Sequence, residues 1–573
     1  MRLTVKPNPM DKTAFWIPIF IFLATPLFAQ EDPNWEEEGE IEEAEVVIEK
    51  DRQIELPRAN RNFERVPPLP VSEPDIDITY QFVEVLPRLQ KLTPPIRVLK
   101  VKEPPLPKLY PNYVKAGFGN YITPYLEVFA NNARSEDYSY GIHFRHLSSR
   151  RGPVDGANSG NSDTRLGLQG KYFAMGHTLF GEASYQRERY HFYGYAPGTE
   201  VSRDDIRQVF NTIGVSGGIE RNDVDAVFDY RLKLNYHHLN NAFLASENQF
   251  AVNFDADAQI SDQLTFDLQS EIWYARLEDA PKETPDNLNT INRNLFRVKP
   301  YFTFRTSSEP QQGLEIAAGA NLVYENDTLP NADRLHFYPF AQATYYLGNS
   351  LRAYARLDGD IERVSLLDLT NENPWLRPNV PVFHTNKSLS FGGGVAGRVN
   401  SLLGFNAGLS ASNYKNMYFF ANSATDSTEF NVLYDQGNVF VFNFYGELNI
   451  NSQDRFRTTL RADYYAYDMD ELEQPWHRPN LKMSVLSSYN LFDKLLLNAE
   501  FMLLSGLEGL NQATNRSVTL PMITDLSLKA DYIFSPRFST FLQFKNIFAQ
   551  NYERYLNYPT RGFMLMGGLT YSF

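Results

Sequence analysis

From residue 113 onward, hydrophobic and polar side chains alternate along the chain with a period of two residues. In the segment 437–450, one face carries Phe440, Phe442, Phe444, Gly446, Leu448 and Ile450, and the other carries Asn443, Tyr445, Glu447 and Asn449. This is the period of a β-strand whose two faces meet different surroundings. Because the pattern recurs at 250–260, 264–274, 351–361, 456–466 and 526–534, it predicts an all-β protein.

The predicted strands run for about ten to fifteen residues, whereas strands of soluble domains average about five or six. Strands of that length can cross a bilayer at a tilt. Tight turns, such as 261–263 and 535–537, alternate with polar loops at 149–163, 196–205, 366–382 and 416–433. Short turns on one side and long loops on the other are typical of outer-membrane proteins. Counted with this alternation, residues 113–573 predict a transmembrane antiparallel β-barrel of about 22 strands, with both ends in the periplasm.

The composition favours strands over membrane helices. The chain has 34 Tyr and 42 Phe against 5 Trp, yet its mean hydropathy is −0.41. After the N-terminus, no stretch reaches the roughly 18 uninterrupted apolar residues that a spanning helix needs. Because lipid offers the backbone no hydrogen-bond partners, membrane strands must close into a barrel.

The N-terminal part of the chain predicts two regions that lie before the barrel. Residues 1–29 have the form of a secretory signal peptide, in which basic residues precede an apolar run at 14–24 and Ala29 marks the cleavage site. Residues 30–112 are acidic and rich in proline, and they open with the acidic run 36–43. This composition favours an extended periplasmic or lumenal segment over a packed domain.

The charge and the missing chemistry exclude several function classes. The net charge of −15 disfavours nucleic acid as a partner. The chain has no cysteine, which excludes disulfides and a lipid anchor on cysteine. The sequence shows no phosphate loop, nucleophile elbow or cysteine-based zinc spacing, and the nine histidines are scattered. We therefore expect no enzyme, no cofactor and no metal site.

Charged side chains occupy positions that face the barrel interior. The candidates are Arg352, Arg356, Asp358, Asp360, Glu362, Arg455, Arg457, Arg461 and Asp463. Their mixed signs predict a lattice of ion pairs rather than a selectivity ring of one sign, and a specific ligand site is the alternative. Two loop tryptophans, Trp375 and Trp476, are interpreted as residues of the interfacial aromatic belt, with stacking on sugars as the alternative.

The last strand places Phe563, Leu565, Leu569, Tyr571 and the terminal Phe573 on one face. A terminal aromatic residue after alternating hydrophobic residues resembles the signal that the barrel-assembly machinery reads. Leu569, Tyr571 and Phe573 are therefore candidates for that signal, and an ordinary edge strand is the alternative.

The final hundred residues resemble the end of a TonB-dependent receptor barrel of the Bacteroidota type. The resemblance rests on His477-Arg-Pro-Asn480, Tyr489-Asn-Leu-Phe-Asp-Lys494, Phe544-Lys-Asn-Ile-Phe548, Asn551-Tyr-Glu-Arg554 and Gly567-Gly-Leu-Thr-Tyr-Ser-Phe573. It implies an outer-membrane location and contact with outer-membrane lipid. It also implies a plugged lumen and a TonB-type energy-coupling protein as a partner.

The chain departs from that family in front of the barrel. A receptor would place a full plug domain there, and residues 30–112 carry no plug motif. Within them, Val46, Val47 and Ile48 could form an energy-coupling box that adds a strand to a periplasmic partner. The alternative is a β-prone stretch that has no role.

These features lead to one expected function and two alternatives. We expect a barrel that takes part in the uptake or passage of a solute across the outer membrane, with its N-terminal segment filling the lumen in place of a plug. The first alternative is a non-transporting scaffold that holds a partner such as a surface lipoprotein. The second is a passive porin.

Overall fold

A computed structural model describes residues 108–573, apart from 222–226, 283, 308, 310, 328–332, 349 and 453–454. The predicted signal peptide, the acidic segment up to residue 107 and the candidate coupling-box residues Val46, Val47 and Ile48 lie outside the described residues.

Long strands make up nearly all of the described regular structure. The first eleven are β1 (Tyr113–Gly119), β2 (Thr123–Asn131), β3 (Tyr138–Ser149), β4 (Asn161–Ala174), β5 (His177–His191), β6 (Arg207–Arg221), β7 (Phe228–Asn241), β8 (Ser246–Ser261), β9 (Leu264–Asp279), β10 (Asn289–Arg305) and β11 (Gly313–Glu325).

The other strands are β12 (Leu335–Leu347), β13 (Leu351–Glu362), β14 (Thr385–Arg398), β15 (Leu403–Asn422), β16 (Phe430–Ser452), β17 (Phe456–Met469), β18 (Leu481–Leu491), β19 (Leu495–Ser505), β20 (Leu507–Asn511), β21 (Arg516–Leu520), β22 (Ile523–Ser535), β23 (Phe538–Lys545), β24 (Glu553–Tyr555), β25 (Tyr558–Pro559) and β26 (Met564–Ser572). A short 3-10 helix (Gly156–Ser159) and the α-helix α1 (Leu366–Glu372) lie in loops.

Among the described residues, 22 of these strands form one closed antiparallel barrel. The ring runs from β1 to β19 and continues through β22, β23 and β26, which pairs back with β1. At this closure Tyr113 lies opposite Ser572 and Gly119 lies opposite Met566. The hairpins β20–β21 and β24–β25 lie in loops outside the ring. The predicted all-β barrel of about 22 strands is therefore confirmed.

The two faces of the barrel wall differ as the alternation predicts. On the outer face of β16, the side chains of Phe440, Phe444, Leu448 and Ile450 are 40 to 54% exposed. Large apolar side chains exposed in this density suit contact with lipid rather than water. The inner face carries polar and charged side chains.

The connections differ between the two ends of the barrel. At one end, which we call the turn rim, tight turns such as 175–176, 262–263 and 536–537 join the strands, and both barrel termini lie there. At the opposite end, which we call the loop rim, the longest connections are 363–384 and 546–563.

One predicted loop is wrong. The polar loop expected at 416–433 shrinks to 423–429, because β15 continues to Asn422 and β16 begins at Phe430. In the added part of β15 the adjacent residues Phe419, Phe420 and Ala421 are all buried. Both faces of this part of the strand are covered by protein, and the alternating pattern is lost there.

Within the described part of the chain, no helix is long and apolar enough to cross a bilayer.

The closure between β1 and β26 is packed by one aromatic side chain. Phe541 of β23 is buried and lies flat against the inner face of Gly117 and Gly568. A Cβ atom added to Gly568 would lie 2.5 Å from the Phe541 ring and would also clash with the Ala116 carbonyl oxygen. Lys115 Nζ lies 4.4 Å from the centre of the Phe541 ring. An aromatic ring laid over glycines stabilises a strand pair that would otherwise have nothing to pack.

The packing at this closure predicts the effect of adding one methyl group. We expect Gly568→Ala to destabilise the barrel by about 1–3 kcal/mol, since the new Cβ overpacks the closure. Gly567→Ala is the matched control, because its Cβ would lie 3.5 Å from Leu542, an ordinary contact. Thermal unfolding followed by the mobility shift of folded barrels in unheated gels measures both. Equal midpoints for the two variants would contradict the packing.

Candidate functional site

Several of the charged candidates form ion pairs along neighbouring strands of the barrel wall. Arg356 Nη2 lies 2.6 Å from Asp358, and Lys387 Nζ lies 3.5 Å from the other oxygen of that carboxylate. Arg297 joins Asp360 at 2.9 Å. These side chains pair across and along neighbouring strands, as oppositely charged neighbours in a sheet do.

A second group of ion pairs lies further round the wall. Arg461 contacts Asp463 at 2.9 Å and Glu447 at 3.4 Å. Arg457 lines a separate lumenal cavity between β17 and β23.

Three other predicted residues lie in different parts of the barrel. Arg352 lines a cavity on the wall between β12 and β16. Glu362 is the last residue of β13 and lies opposite Thr385 at the loop rim. Arg455 differs from the others because it lies exposed in the turn between β16 and β17, at the turn rim, rather than in a strand.

The upper lumen holds an apolar patch that the sequence does not reveal as such. Ala251, Trp273, Leu295 and Val323 form its centre, together with Ala275, Tyr338 and Ile361. The Trp273 indole donates a hydrogen bond to Gln249 at 3.3 Å. The guanidinium groups of Arg293 and Arg363 lie over its ring at 5.6 and 5.4 Å. The lumen is therefore not lined by polar side chains throughout, because its upper part packs against the loop above.

That loop, residues 363–384, is the largest structural feature at the loop rim, and we call it the cap segment. It contains α1, which begins with a capping box: Ser365 Oγ accepts from the Asp368 backbone amide at 3.1 Å, and Asp368 accepts from the Ser365 amide at 3.0 Å. The capping box satisfies two amides that a helix start leaves without a partner. The segment thus begins as an ordered helix.

The next two amides of α1 are satisfied by the barrel wall. Glu247 of β8 is 1% exposed, and its carboxylate accepts from the Leu366 and Leu367 amides at 3.0 Å each. Gln249 donates to the same carboxylate at 2.9 Å. A carboxylate at a helix start is favoured by the amide dipoles. Glu247 therefore anchors the helical end of the cap segment.

The two ends of the cap segment meet at a buried ionic cluster. Arg293 holds Asp327 through two hydrogen bonds of 2.7 and 3.1 Å, donates to the Val364 carbonyl at 2.6 Å and contacts His384 Nδ1 at 2.8 Å. The Val364 amide also donates to His384 Nδ1, at 3.1 Å. Because Nδ1 accepts from both groups, the proton of the neutral ring lies on Nε2.

Burial and nearby arginines lower the pKa values of two histidines in these loops, His384 and His477. Burial, followed by the charge of Arg293, lowers the pKa of His384 well below its ordinary value. His477, in the loop between β17 and β18, is buried against Tyr555 and Phe430. Burial, with Arg554 nearby, lowers the pKa of His477 to about 3. Both rings are neutral at neutral pH.

An aromatic cluster lies at the loop rim, against the cap segment. Trp375 stacks on Tyr558 at 4.0 Å between ring centres and donates to the His191 carbonyl at 3.0 Å. Phe430 and Tyr555 complete the cluster. Trp375 is therefore a packing residue of the cap, and its interpretation as a belt residue is wrong.

For the second tryptophan, Trp476, the interpretation as a residue of the aromatic belt is also wrong. It is 2% exposed in the loop between β17 and β18, so it faces neither lipid nor a sugar in solution. Both tryptophans lie in loops, where the sequence gives no sign of whether the chain folds inward or outward.

Buried residues from three parts of the ring meet in one core, which we call the cap core. They come from β6–β9 (Phe210, Leu239, Ala245, Leu277), from β15–β16 (Phe420, Phe430, Val432), from the loop between β23 and β26 (Tyr555, Tyr558), and from the cap segment itself (Val364, Leu366, Leu369, Leu376, Val380, Val382). In ring order these three arcs are separated by five to six strand steps, nearly equal thirds of the circumference. A core that joins them spans the mouth of the barrel.

Polar contacts tie the cap segment to the same walls. Glu372 accepts from Tyr418 at 2.7 Å, pairs with Arg478 at 3.1 Å and, through its carbonyl, accepts from Tyr555 at 2.8 Å. On the opposite side, the Asn379 amide donates to Asp279 at 2.8 Å.

The candidate assembly-signal residues lie on the outer face of the last strand. Leu569 and Tyr571 of β26 and the terminal Phe573 are each about half exposed toward lipid. Among the described residues, no three His, Asp or Glu side chains are grouped as a metal ion would require.

The hydrogen bonds of the Glu247 carboxylate predict the effect of a substitution there on the closed cap. We expect Glu247→Gln to destabilise the closed cap by about 1–3 kcal/mol, because the two helix amides bond to different carboxylate oxygens and one of these becomes an NH2 group, which cannot accept. Amide hydrogen exchange in residues 363–384 measures this. Glu315→Gln is the matched control, since Glu315 pairs with Arg305 near the turn rim. Equal exchange in the two variants would refute the anchor.

The buried histidines predict acid loosening of the cap. Their folded pKa values lie below the ordinary value of about 6.5, so at these two histidines the closed cap binds fewer protons than the open one. The stability that they contribute to the closed cap should be complete above that pH and should decline as the pH falls, by up to about 1.4 kcal/mol per pH unit for His477. Exchange of residues 363–384 and 470–480, corrected for the intrinsic rate, measures this at pH 7.5 and 4.5. His477→Asn should weaken the dependence, and an unchanged profile would argue against it.

No protein-family model and no curated protein sequence matches the chain. Solved structures resemble it across the barrel. The FrpB iron transporter from Neisseria meningitidis matches with a TM-score of 0.62 and 9% identity, over 82% of each chain.

Two further structures have the same architecture. The ferric-catecholate import receptor Fiu from E. coli K12, in its closed form, gives a TM-score of 0.60 at 10% identity, over 81% of each chain. The siderophore receptor PirA from Acinetobacter baumannii gives 0.59 at 10% identity, over 81% of this chain and 80% of that one. The chain therefore has the fold of these receptor barrels, and its apolar outer face fits the outer membrane.

Proposed function

We propose that this protein takes up a solute across the outer membrane through a barrel whose outer mouth is gated by the cap segment. The observation that carries the proposal is the cap core, a buried core that spans the mouth of a 22-strand barrel. The likeness of the fold to iron and siderophore receptors supports uptake as the class of function. In this orientation the loop rim faces the outside and both barrel termini face the periplasm.

The cap core argues against the passive porin. A porin keeps a water-filled channel open through a polar lumen. Here Leu369 and Phe430 are fully buried in the cap core, and Arg293 and Asp327 are buried against the ends of the cap segment. A solute could pass only after the cap segment moves.

The finer features of the uptake proposal come from the sequence. Residues 30–112 would take the place of a full plug, as in a reduced receptor of the Bacteroidota type. Val46, Val47 and Ile48 would then pair with a TonB-type protein by strand addition. The last strand, with Leu569, Tyr571 and Phe573, would be read by the barrel-assembly machinery. These proposals rest on the sequence patterns already described.

The scaffold, in which the barrel anchors a complex with a surface lipoprotein, remains the second candidate. No described contact favours it over uptake. Purification from native membranes separates the two. A stoichiometric partner, with unchanged growth on limiting nutrients after deletion of the gene, would favour the scaffold and contradict uptake.

Conductance in planar bilayers tests the gate. Glu362 pairs directly with Thr385, so residues 364–383 can be replaced by a tight turn without changing the register of β13 and β14. Four proteins are compared: the full chain, the chain without the cap segment, the chain without residues 30–112, and the chain without both. We expect the full chain to be nearly closed and the double deletion to conduct most.

Each comparison decides one part of the proposal. If the chain without residues 30–112 conducts as much as the double deletion, the cap segment is no barrier and the gate is refuted. If the double deletion conducts no more than the cap deletion, residues 30–112 do not fill the lumen. The cap-free background makes this second comparison sensitive, because a closed cap would hide the loss of an inner plug.

A further inference from the structure

A concave basin of about 490 Å³ opens on the lumenal wall between β12 and β16, below the cap. Three cationic side chains line it: Arg352, Arg356 and Lys387. The hydroxyl group of Tyr354 and the amide group of Asn406 also line it. We call it the β14 basin, after the strand that forms its floor.

The basin exists because its floor lacks large side chains. The inner face of β14 presents Ser390, Gly392 and Gly394, and that of β15 presents Gly408 and Ser410. Small side chains here leave a hollow in a wall that elsewhere carries long polar side chains.

Two tyrosines lie flat over the glycines of this floor. A Cβ atom added at Gly394 would lie 2.7 Å from Tyr354 Oη, and one added at Gly408 would lie 2.7 Å from Tyr445 Oη. Tyr354 Oη donates to Asn406 at 2.9 Å and contacts Tyr445 Oη. The rings therefore line the basin rather than fill it, and this hydrogen bond fixes the Tyr354 ring in place.

The basin carries an excess of positive charge in a chain whose net charge is −15. Its border has three cationic side chains but one carboxylate, Asp358, which Arg356 and Lys387 share. Lys299 adds a further cation nearby, because its Nζ and the Arg356 guanidinium approach the same ring of Phe340. The neighbouring Arg461 shows the opposite balance, since it faces two carboxylates.

We propose that the β14 basin binds a small polyanion that carries carboxylate or phosphate groups. The guanidinium groups of Arg352 and Arg356 offer planar pairs of donors that suit such groups. The hydroxyl groups of Tyr354 and Ser410 and the amide of Asn406 suit a polar body. The volume lies within the range of about 300–1,000 Å³ that is common for ligand sites.

The role of this site rests on the proposed function. The basin is the point at which a solute in passage is held below the gate. The same carboxylate chemistry has a second source in this chain, the acidic run 36–43. A tethered segment competes at a high effective concentration, so the test must separate the two sources.

Equilibrium binding of citrate to the detergent-solubilised protein tests the proposal, with neutral sorbitol as the control ligand. Two proteins are titrated by calorimetry, the full chain and the chain without residues 30–112. Citrate binding to both indicates a free solute as the ligand. Binding only after deletion indicates that the acidic run occupies the basin in the full chain. Either result supports a polyanion site, whereas no binding to either protein overturns it.

Substitutions locate the binding in the basin. Arg352→Gln combined with Arg356→Gln should weaken citrate binding by roughly tenfold or more, because two charge-assisted contacts are lost. The matched control removes the same charge from the neighbouring cavity, through Arg457→Gln and Lys529→Gln. A third variant, Ser410→Leu, fills the floor without changing any charge and should also weaken binding.

The outcomes separate this proposal from the gate. Folding of each variant is checked by the mobility of the folded barrel in unheated gels. Equal losses in the basin variant and in the control would mean a general charge effect and would overturn the site. Unchanged affinity in both the arginine and Ser410→Leu variants would do the same. Failure of citrate binding leaves the conductance test unaffected, and failure of the gate leaves the binding test unaffected.

Discussion

The structure depends on one constraint: inside a bilayer, every backbone amide and carbonyl must find its partner within the protein. A sheet satisfies this only if it closes, so the pairing of β1 with β26 makes the other strands viable. Closure also leaves a wide lumen inside the ring. A ring of 22 strands encloses a lumen too wide for the wall's own side chains to fill, so other segments of the chain are needed to block it. The cap segment and the aromatic cluster meet that need at the outer mouth.

Most of the barrel could be predicted from the sequence, because a strand between lipid and lumen has two faces in different surroundings. Because of that contrast, apolar and polar side chains alternate along each strand. The number of strands and the side on which each loop lies follow from this alternation. The prediction fails where the contrast ends. Phe419, Phe420 and Ala421 are consecutive apolar residues in a continuing strand, since protein covers both faces there. The hairpins β20–β21 and β24–β25 were missed because short strands inside loops carry too few alternations.

The site was less predictable than the wall. The alternation along a strand is enough to identify inward-facing charged residues such as Arg356 and Arg461. It does not identify the residues with which they pair. The anchor of the cap joins Glu247 to Leu366, and the ionic cluster joins Arg293 to His384; both pairs are far apart in sequence. One local signal was present. Ser365 and Asp368 have the spacing of a capping box, which marks the start of a helix at the predicted polar loop 366–382.

The cap core has a mechanical consequence. A thin cylindrical wall bends most easily at an open end, where nothing opposes flattening into an oval. The cap segment connects three arcs of that end, through Glu247 on one wall, Tyr418 on another and Tyr555 on the third. It therefore acts as a cross-brace. The shape of the outer rim is therefore held by the brace as well as by the strands, and each attachment restrains the wall to which it is made.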